Sequence, residues 1–152
     1  WDVATYVISG TAHLGAVGKD ILMEINTDQF IELTDLKIGK CRISLAGMQQ
    51  NILKKAKLKI ATKYPKIAYE YLSSIGIKPE IVYLNGSQEI APAMGLADAI
   101  IDLVDTGHTL KDNNLIELRV IKDISTRLIV NKAALKTKGS LVEEFSAVVS
   151  KL

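Results

Sequence analysis

The sequence holds a single cysteine, Cys41, so no internal disulfide can form. It sits in the apolar run Cys41-Arg42-Ile43-Ser44-Leu45-Ala46, the setting of a buried structural thiol, and fits a reducing, cytoplasmic compartment. No apolar stretch approaches the ~18–20 residues that a helix needs to span a bilayer. The start, Trp1-Asp2-Val3, lacks both a methionine and the basic n-region of a signal peptide, so the chain reads as beginning in mid-protein. Charge of one sign is also scarce. Nineteen Lys and Arg against 17 Asp and Glu leave +2, too little for the basic stripe of a nucleic-acid binder. Internal repeats and low-complexity segments are missing.

What is present is ordinary globular composition, 48% hydrophobic and 24% charged. At 152 residues the chain can form one body that buries roughly 68–70% of its unfolded surface, or two small lobes. Helical patterns cover 2–9, closed by Gly10, and about 19–25, after Gly18. Another runs over 63–75, with Pro65 in its first turn and Gly76 after its end. Shorter ones follow at about 87–94 and from Thr109, and an amphipathic helix covers 141–151. Strand-like runs fall at 13–17, 30–36, 42–46, 59–61, 80–84, 98–104, 116–121 and 127–130. This alternation predicts an α/β fold with mainly parallel sheets. Its division is expected at 1–45 with 123–152 for a first lobe and 46–122 for a second, joined by two crossover strands. That is the plan of a type II periplasmic-binding-protein-like fold.

The most informative stretch is 98–110, Asp-Ala-Ile-Ile-Asp-Leu-Val-Asp-Thr-Gly-His-Thr-Leu. An apolar strand enters a turn of acid, hydroxyl and glycine, and a helix starts at once. Free N–H groups at a helix start favour an anion, and Gly107 lets the backbone approach it. Thr106 and Thr109 add hydroxyl donors. Asp102 and Asp105 would repel a bare phosphate, but they suit ribose hydroxyls or bound magnesium. A phosphorylated sugar carrying pyrophosphate answers to all of these. The competing reading is a plain helix cap by Asp105 and Thr106. The Asp-Thr-Gly triplet of aspartic proteases is rejected, because that chemistry needs two such triplets on an all-β fold.

The spacing of Glu89, Gly95, Ala97, Ile100, Asp102, Leu103, Thr106, Gly107, Thr109 and Leu110 resembles the signature segment of ATP phosphoribosyltransferases. The run Leu84-Asn85-Gly86-Ser87 continues it upstream. Ile60-Ala61-Thr62-Lys63-Tyr64-Pro65 is similar to the family's strand-to-helix segment of the second lobe. Gly15-Ala16-Val17-Gly18-Lys19-Asp20 is similar to its first-lobe turn, and Ile124-Ser125-Thr126-Arg127-Leu128-Ile129-Val130-Asn131 to its return strand. The likeness covers nearly the whole chain.

The resemblance implies transfer of phosphoribosyl from phosphoribosyl pyrophosphate to N1 of the adenine of ATP, the first step of histidine biosynthesis. Mg2+ would leave with the pyrophosphate. It implies that Asp105, Thr106, Gly107, His108, Thr109 and Leu110 form the loop around the 5′-phosphate. His108 occupies the variable position and has no catalytic part. Asp102 would face the ribose, and Glu89 would orient the loop or touch the sugar. Gly18, Lys19 and Asp20 would reach the nucleotide or the pyrophosphate from the other lobe. No protein nucleophile and no protein-held metal are implied. The partner implied is a regulatory subunit related to histidyl-tRNA synthetase, as for short-form members, in a hetero-oligomer.

Three features depart from the family or stand outside its pattern. His13 occupies a position where an acid is expected. The lysines 54, 55, 57, 59, 63 and 66 form a basic cluster, read as solvated surface or as attraction for polyanionic substrates. Nothing matches the family's opening Lys-Gly-Arg segment. A rival from another class is a two-lobed ligand-binding module without turnover. With the first lobe incomplete, the polypeptide by itself is predicted to show little or no turnover of ATP and phosphoribosyl pyrophosphate with magnesium. Full activity in that assay would overturn the expectation.

Overall fold

A computed structural model describes residues 1–25 and 27–149. They group into two units, Trp1–Lys40 with the segment from Ile124 onward, and Cys41–Asp123.

The first unit is built on a three-stranded sheet. β1 (Leu14–Gly18) and β2 (Phe30–Asp35) flank a central β8 (Thr126–Asn131), which comes from the far end of the chain. Both flanking strands run antiparallel to β8. The alternation of a strand sends Ile129 and Val130 to opposite faces. On the first face Ile129 packs with Val17, with Ala4 and Val7 of α1 (Asp2–Ile8), and with Leu22 of α2 (Lys19–Glu24). On the second face Val130 packs with Ala134 of α5 (Lys132–Thr137) and Val142 of α6 (Gly139–Val149). Gly15 lets α1 sit close: a Cβ there would come within 2.8 Å of the side chains of Val3 and Val7. β2 carries a bulge between Glu32 and Thr34, which leaves Leu33 as the extra residue.

Asn131 joins these layers. It is buried at the end of β8, and its Oδ1 accepts the N–H groups of Ala133 (2.9 Å) and Ala134 (3.2 Å), capping α5. Its Nδ2 donates to the carbonyl of Val7 at 2.8 Å, at the end of α1. One side chain thus closes two helix ends that lie 124 residues apart.

The second unit holds a five-stranded sheet in the order β5-β4-β6-β3-β7. Its strands are β3 (Cys41–Gly47), β4 (Lys57–Thr62), β5 (Lys78–Tyr83), β6 (Ala99–Val104) and β7 (Ile116–Ile124). α3 (Pro65–Ser74) crosses between β4 and β5, and α4 (His108–Asp112) follows β6. Thr62 makes the strand-to-helix turn. Its buried hydroxyl donates to the Ile101 carbonyl at 2.6 Å and accepts the Tyr64 N–H at 2.9 Å, while the Tyr64 side chain fills the core.

The α/β class is as expected, but the sheets are mixed rather than mainly parallel. β4 pairs in parallel with β5 and β6, whereas β3 pairs antiparallel with β6. In the first unit β1 and β2 do run the same way, as a strand–helix–strand unit should. The returning β8 is inserted between them, so every pair there is antiparallel. The chain passes between units at Lys40 and at Asp123 rather than at 45 and 122, because β3 pairs along Arg42 to Gly47 with β6. Cys41 is only half-buried, being the first residue of β3. Residues 87–94 form a three-residue 3-10 turn, Gln88–Ile90, in place of a longer helix. A 3-10 turn at Gln50–Lys54 and helix α5 were not foreseen. Ser150 and Lys151, the last two residues of the expected closing helix, lie outside the described residues.

Replacing Asn131 by Ala should cost about 2–4 kcal/mol, the sum of a lost cap and buried backbone groups left unpaired. Urea unfolding would read this as a lower midpoint with an unchanged slope.

Candidate active site

The pocket of interest lies where the central strand β6 ends. Ile100, Asp102 and Val104 alternate onto one face of that strand. Ile100 and Val104 pack into a cluster with Ala46, Ala61, Ala91, Leu110 and Leu115. Asp102 stands between them, half-buried, with Oδ1 accepting the N–H of Leu103 at 2.8 Å. Beyond Val104 the wall is formed by Asp105, Thr106, Gly107, Thr109 and Leu110, and Glu89 closes it from the Gln88–Ile90 turn. The space is about 280 Å³. It lies outside the carboxyl end of a strand paired on both edges, and the carboxyl ends of strands are where open α/β sheets bind ligands.

The turn is shaped by its glycine and anchored by a leucine. Gly107 is left-handed, with φ 81° and ψ 5°. A Cβ there would meet only Val104 Cγ1, at 3.9 Å, so backbone conformation rather than space calls for glycine. Leu110 is buried in the cluster below and fixes where α4 begins. α4 has five residues, too few for a substantial dipole. The polar groups that this turn offers are its loop amides and the hydroxyls of Thr106 and Thr109. Ser87, beside Glu89, is also left-handed at φ 56°, an uncommon conformation for serine that is tolerated near functional sites. His108, the first residue of α4, is exposed and does not line the pocket.

Beneath the turn lies a polar group that sequence reasoning missed. β3 pairs Arg42 with Val104 and Ser44 with Asp102, so these side chains share the pocket's face of the sheet. Arg42 donates through Nε (2.6 Å) and Nη2 (2.9 Å) to the two carboxylate oxygens of Glu117 on β7. Its Nη1 donates to the backbone carbonyl of Asp105 at 2.9 Å. Ser44 Oγ donates to Glu117 Oε1 at 2.6 Å. The Arg42 guanidinium and the Ser44 hydroxyl hold the Glu117 carboxyl below its ordinary range against some desolvation, and Glu117 in turn raises Arg42. Polar residues alternating with Ile43 and Leu45 were the only signal in the sequence. Glu117 lies 75 residues from Arg42, beyond the reach of any local pattern.

Gly18, Lys19 and Asp20 belong to the other unit. Lys19 is not a free cation. Its Nζ lies 2.6 Å from Glu32 Oε2, and Arg127 bridges Glu32 (3.1 Å) and Asp35 (3.2 Å). Asp20 is buried, and its carboxylate folds over Gly18 so closely that a Cβ on Gly18 would collide with Oδ1. The basic cluster is partly neutralised. Lys55 pairs with Asp98 at 2.7 Å, Lys59 lies 3.7 Å from Glu80, and Lys63 stands over the Tyr64 ring.

A family model described as "HisG: ATP phosphoribosyltransferase" matches residues 1–151. The chain belongs to the ATP phosphoribosyltransferase family. A relative of that name from Marinomonas sp. (strain MWYL1) is 51% identical over 142 residues, covering 93% of this chain and 66% of that protein. One from Geobacillus sp. (strain WCH70) is 48% identical over 143 residues, covering 94% of this chain and 69% of that protein. The chain thus spans about two thirds of the length of these relatives. The structure of an ATP phosphoribosyl transferase (HisG:HisZ) complex from Thermotoga maritima superposes with a TM-score of 0.89 at 37% identity, over 99% of this chain and 74% of that one.

Membership places the chain among the pentosyltransferases that open histidine biosynthesis, and its mixed-sheet α/β fold among the type II periplasmic-binding-protein-like folds. The family uses Mg2+. Among the described residues, no three His, Cys, Asp or Glu side chains are placed to hold a metal ion, and no helix is long and apolar enough to cross a membrane.

The depressed pKa of Glu117 has a consequence for stability. A carboxyl whose folded value lies below its unfolded one stabilises fully above the unfolded pKa of about 4.3, and loses that contribution as pH falls through the folded value. Asp98, lowered mainly by the Lys55 ammonium, has the same sign. Thermal melts of parent and Glu117→Gln should therefore be furthest apart at pH 7 and converge below about pH 4.

Proposed function

We propose that the pocket at the end of β6 binds the phosphoribosyl half of phosphoribosyl pyrophosphate, and that the protein containing this chain transfers it to N1 of the adenine of ATP. The observation that carries this is convergence. Glu89, Asp102, Thr106, Gly107 and Thr109, residues of one spaced signature, line a single pocket together with Asp105. The 5′-phosphate lies against the turn at Gly107, where amides and the hydroxyls of Thr106 and Thr109 are its donors. Asp102 faces the ribose hydroxyls, which can donate to a carboxylate. Glu89 borders the sugar.

The chemistry asks little covalent work of the protein. The adenine N1 lone pair forms a bond to the anomeric carbon as the bond from that carbon to pyrophosphate breaks. The electron pair leaves on the pyrophosphate oxygen, whose magnesium arrives as part of the substrate. The transition state resembles an oxocarbenium ion. The turn holds the phosphate end rigid, and the carboxylates at Asp102 and Glu89 stand near the developing positive charge. Catalysis is then positioning and electrostatic stabilisation. Gly18, Lys19 and Asp20 contact the nucleotide or the pyrophosphate. The setting we propose is the cytoplasm.

A regulatory subunit is proposed as partner. The related Thermotoga maritima structure is of a HisG:HisZ complex, and the 37% identity to it extends over nearly the whole of this chain. A solute-binding module without turnover is less favoured, because such a module has no need of the hydroxyls and carboxylates gathered at one phosphate-sized turn.

Calorimetric titration with magnesium and phosphoribosyl pyrophosphate tests the assignment. Gly107→Asp should abolish binding by placing a carboxylate where the phosphate lies. Gly107→Ala carries only the left-handed strain, about 1–2 kcal/mol, and should weaken binding without abolishing it. Unchanged affinity in Gly107→Asp would place the sugar phosphate elsewhere.

A further inference from the structure

We propose that Arg42 is a positioning residue for the phosphate-binding turn, and that Glu117 and Ser44 hold it in place. This rests on the reading of the turn given above. Strand β3 is paired with β6 as far as Arg42 opposite Val104, so Asp105 is the first residue past the ladder. At that point the backbone leaves the sheet and its peptide planes are free to rotate. Arg42 Nη1 donates to the Asp105 carbonyl at 2.9 Å and removes that freedom. A trans peptide unit is planar, so fixing the Asp105 C=O also fixes the N–H of Thr106, which points the opposite way. Thr106 lines the pocket. Arg42 therefore sets the direction of an amide that donates to the ligand, without touching the ligand.

The guanidinium suits this task because its donors lie in one rigid plane. Two of them, Nε and Nη2, are occupied by the carboxylate of Glu117 at 2.6 and 2.9 Å. The fork defines the plane of the guanidinium and thereby aims Nη1 at Asp105. Ser44 donates to Glu117 Oε1 at 2.6 Å and fixes the carboxylate from the neighbouring position on the same face. Lysine has one nitrogen in place of three and cannot hold the carboxylate in a fork while reaching the carbonyl. The pair also cancels its own charge, so the arrangement orients the turn and does not act as a free cation for the phosphate.

The test uses the full-length protein and isothermal titration with magnesium–phosphoribosyl pyrophosphate and, separately, with ATP. Arg42→Lys should weaken binding of the sugar phosphate about tenfold or more, the cost of one charge-assisted hydrogen bond. ATP affinity should stay within about twofold, because the reading above places the sugar phosphate and not ATP at the turn. Glu117→Gln should shift the same ligand in the same direction by less, since the amide oxygen still accepts one of the two bonds. Methylguanidinium added to Arg42→Ala should restore binding of the sugar phosphate, which a general loss of folding would not allow. If Arg42→Ala does not fold, the other two variants still decide. Parent-like binding in both would overturn the proposal, as would equal weakening of both ligands. Gly107→Asp, titrated alongside, separates the two readings. If it abolishes binding while the Arg42 and Glu117 variants bind normally, only this proposal fails. If it too binds normally, the turn is not the phosphate site and both readings fall.

Discussion

The pairing of β6 on both sides is the constraint from which the pocket follows. A strand hydrogen-bonded to β4 on one edge and β3 on the other cannot shift its register without turning its side chains over. Ile100 and Val104 must stay in the apolar cluster, so Asp102 is held at the same depth on the same face. The turn that follows starts from a fixed point. Leu110, buried in the same cluster, holds its other end. Between two apolar anchors the five residues from Asp105 to Thr109 are left to present amides, hydroxyls and a carboxylate to the solvent side.

The first unit solves a different problem. Its central strand begins 108 residues after the end of β1 and 91 after the end of β2, and entropy opposes such a long closure. Asn131 concentrates the reward at one point, where the end of β8, the end of α1 and the start of α5 meet through a single buried amide. The two faces of β8 are covered by helices from opposite ends of the chain, so neither end can bury its apolar face without the other.

Much of this was legible in the sequence. The strands at 116–121 and 127–130 declared themselves as β-branched runs, and that at 98–104 as an apolar run. The start and stop of α3 followed from Pro65 and Gly76. The pocket's polar wall was legible because Asp102, Asp105, Thr106, Gly107 and Thr109 sit within eight residues at a strand end. Pairing direction was not legible, since nothing local tells β1 and β2 that β8 will enter between them. The helix expected at 87–94 shrank to a turn because Ser87 takes a left-handed conformation and Pro92 follows within five residues. The expectation of parallel sheets came from alternation alone, and alternation does not register a strand returning from the far terminus. The support beneath the turn escaped for a related reason. Arg42 and Glu117 become neighbours only once β3 and β7 lie in the same sheet.

The bulge at Leu33 settles a matter of parity. In a regular strand, residues three apart face opposite sides of the sheet. Glu32 and Asp35 are three apart, yet both reach the guanidinium of Arg127, and Glu32 also carries Lys19. The extra residue restores the count and brings the two acids to one face. The register of β2 against β8 thus matters more than the identity of the bulged residue. Exchanging Leu33 for another apolar residue leaves the ion-pair chain intact. Pairing Leu33 regularly into the ladder, with no bulge, would turn one of the two acids away from Arg127 and leave that cation less well balanced.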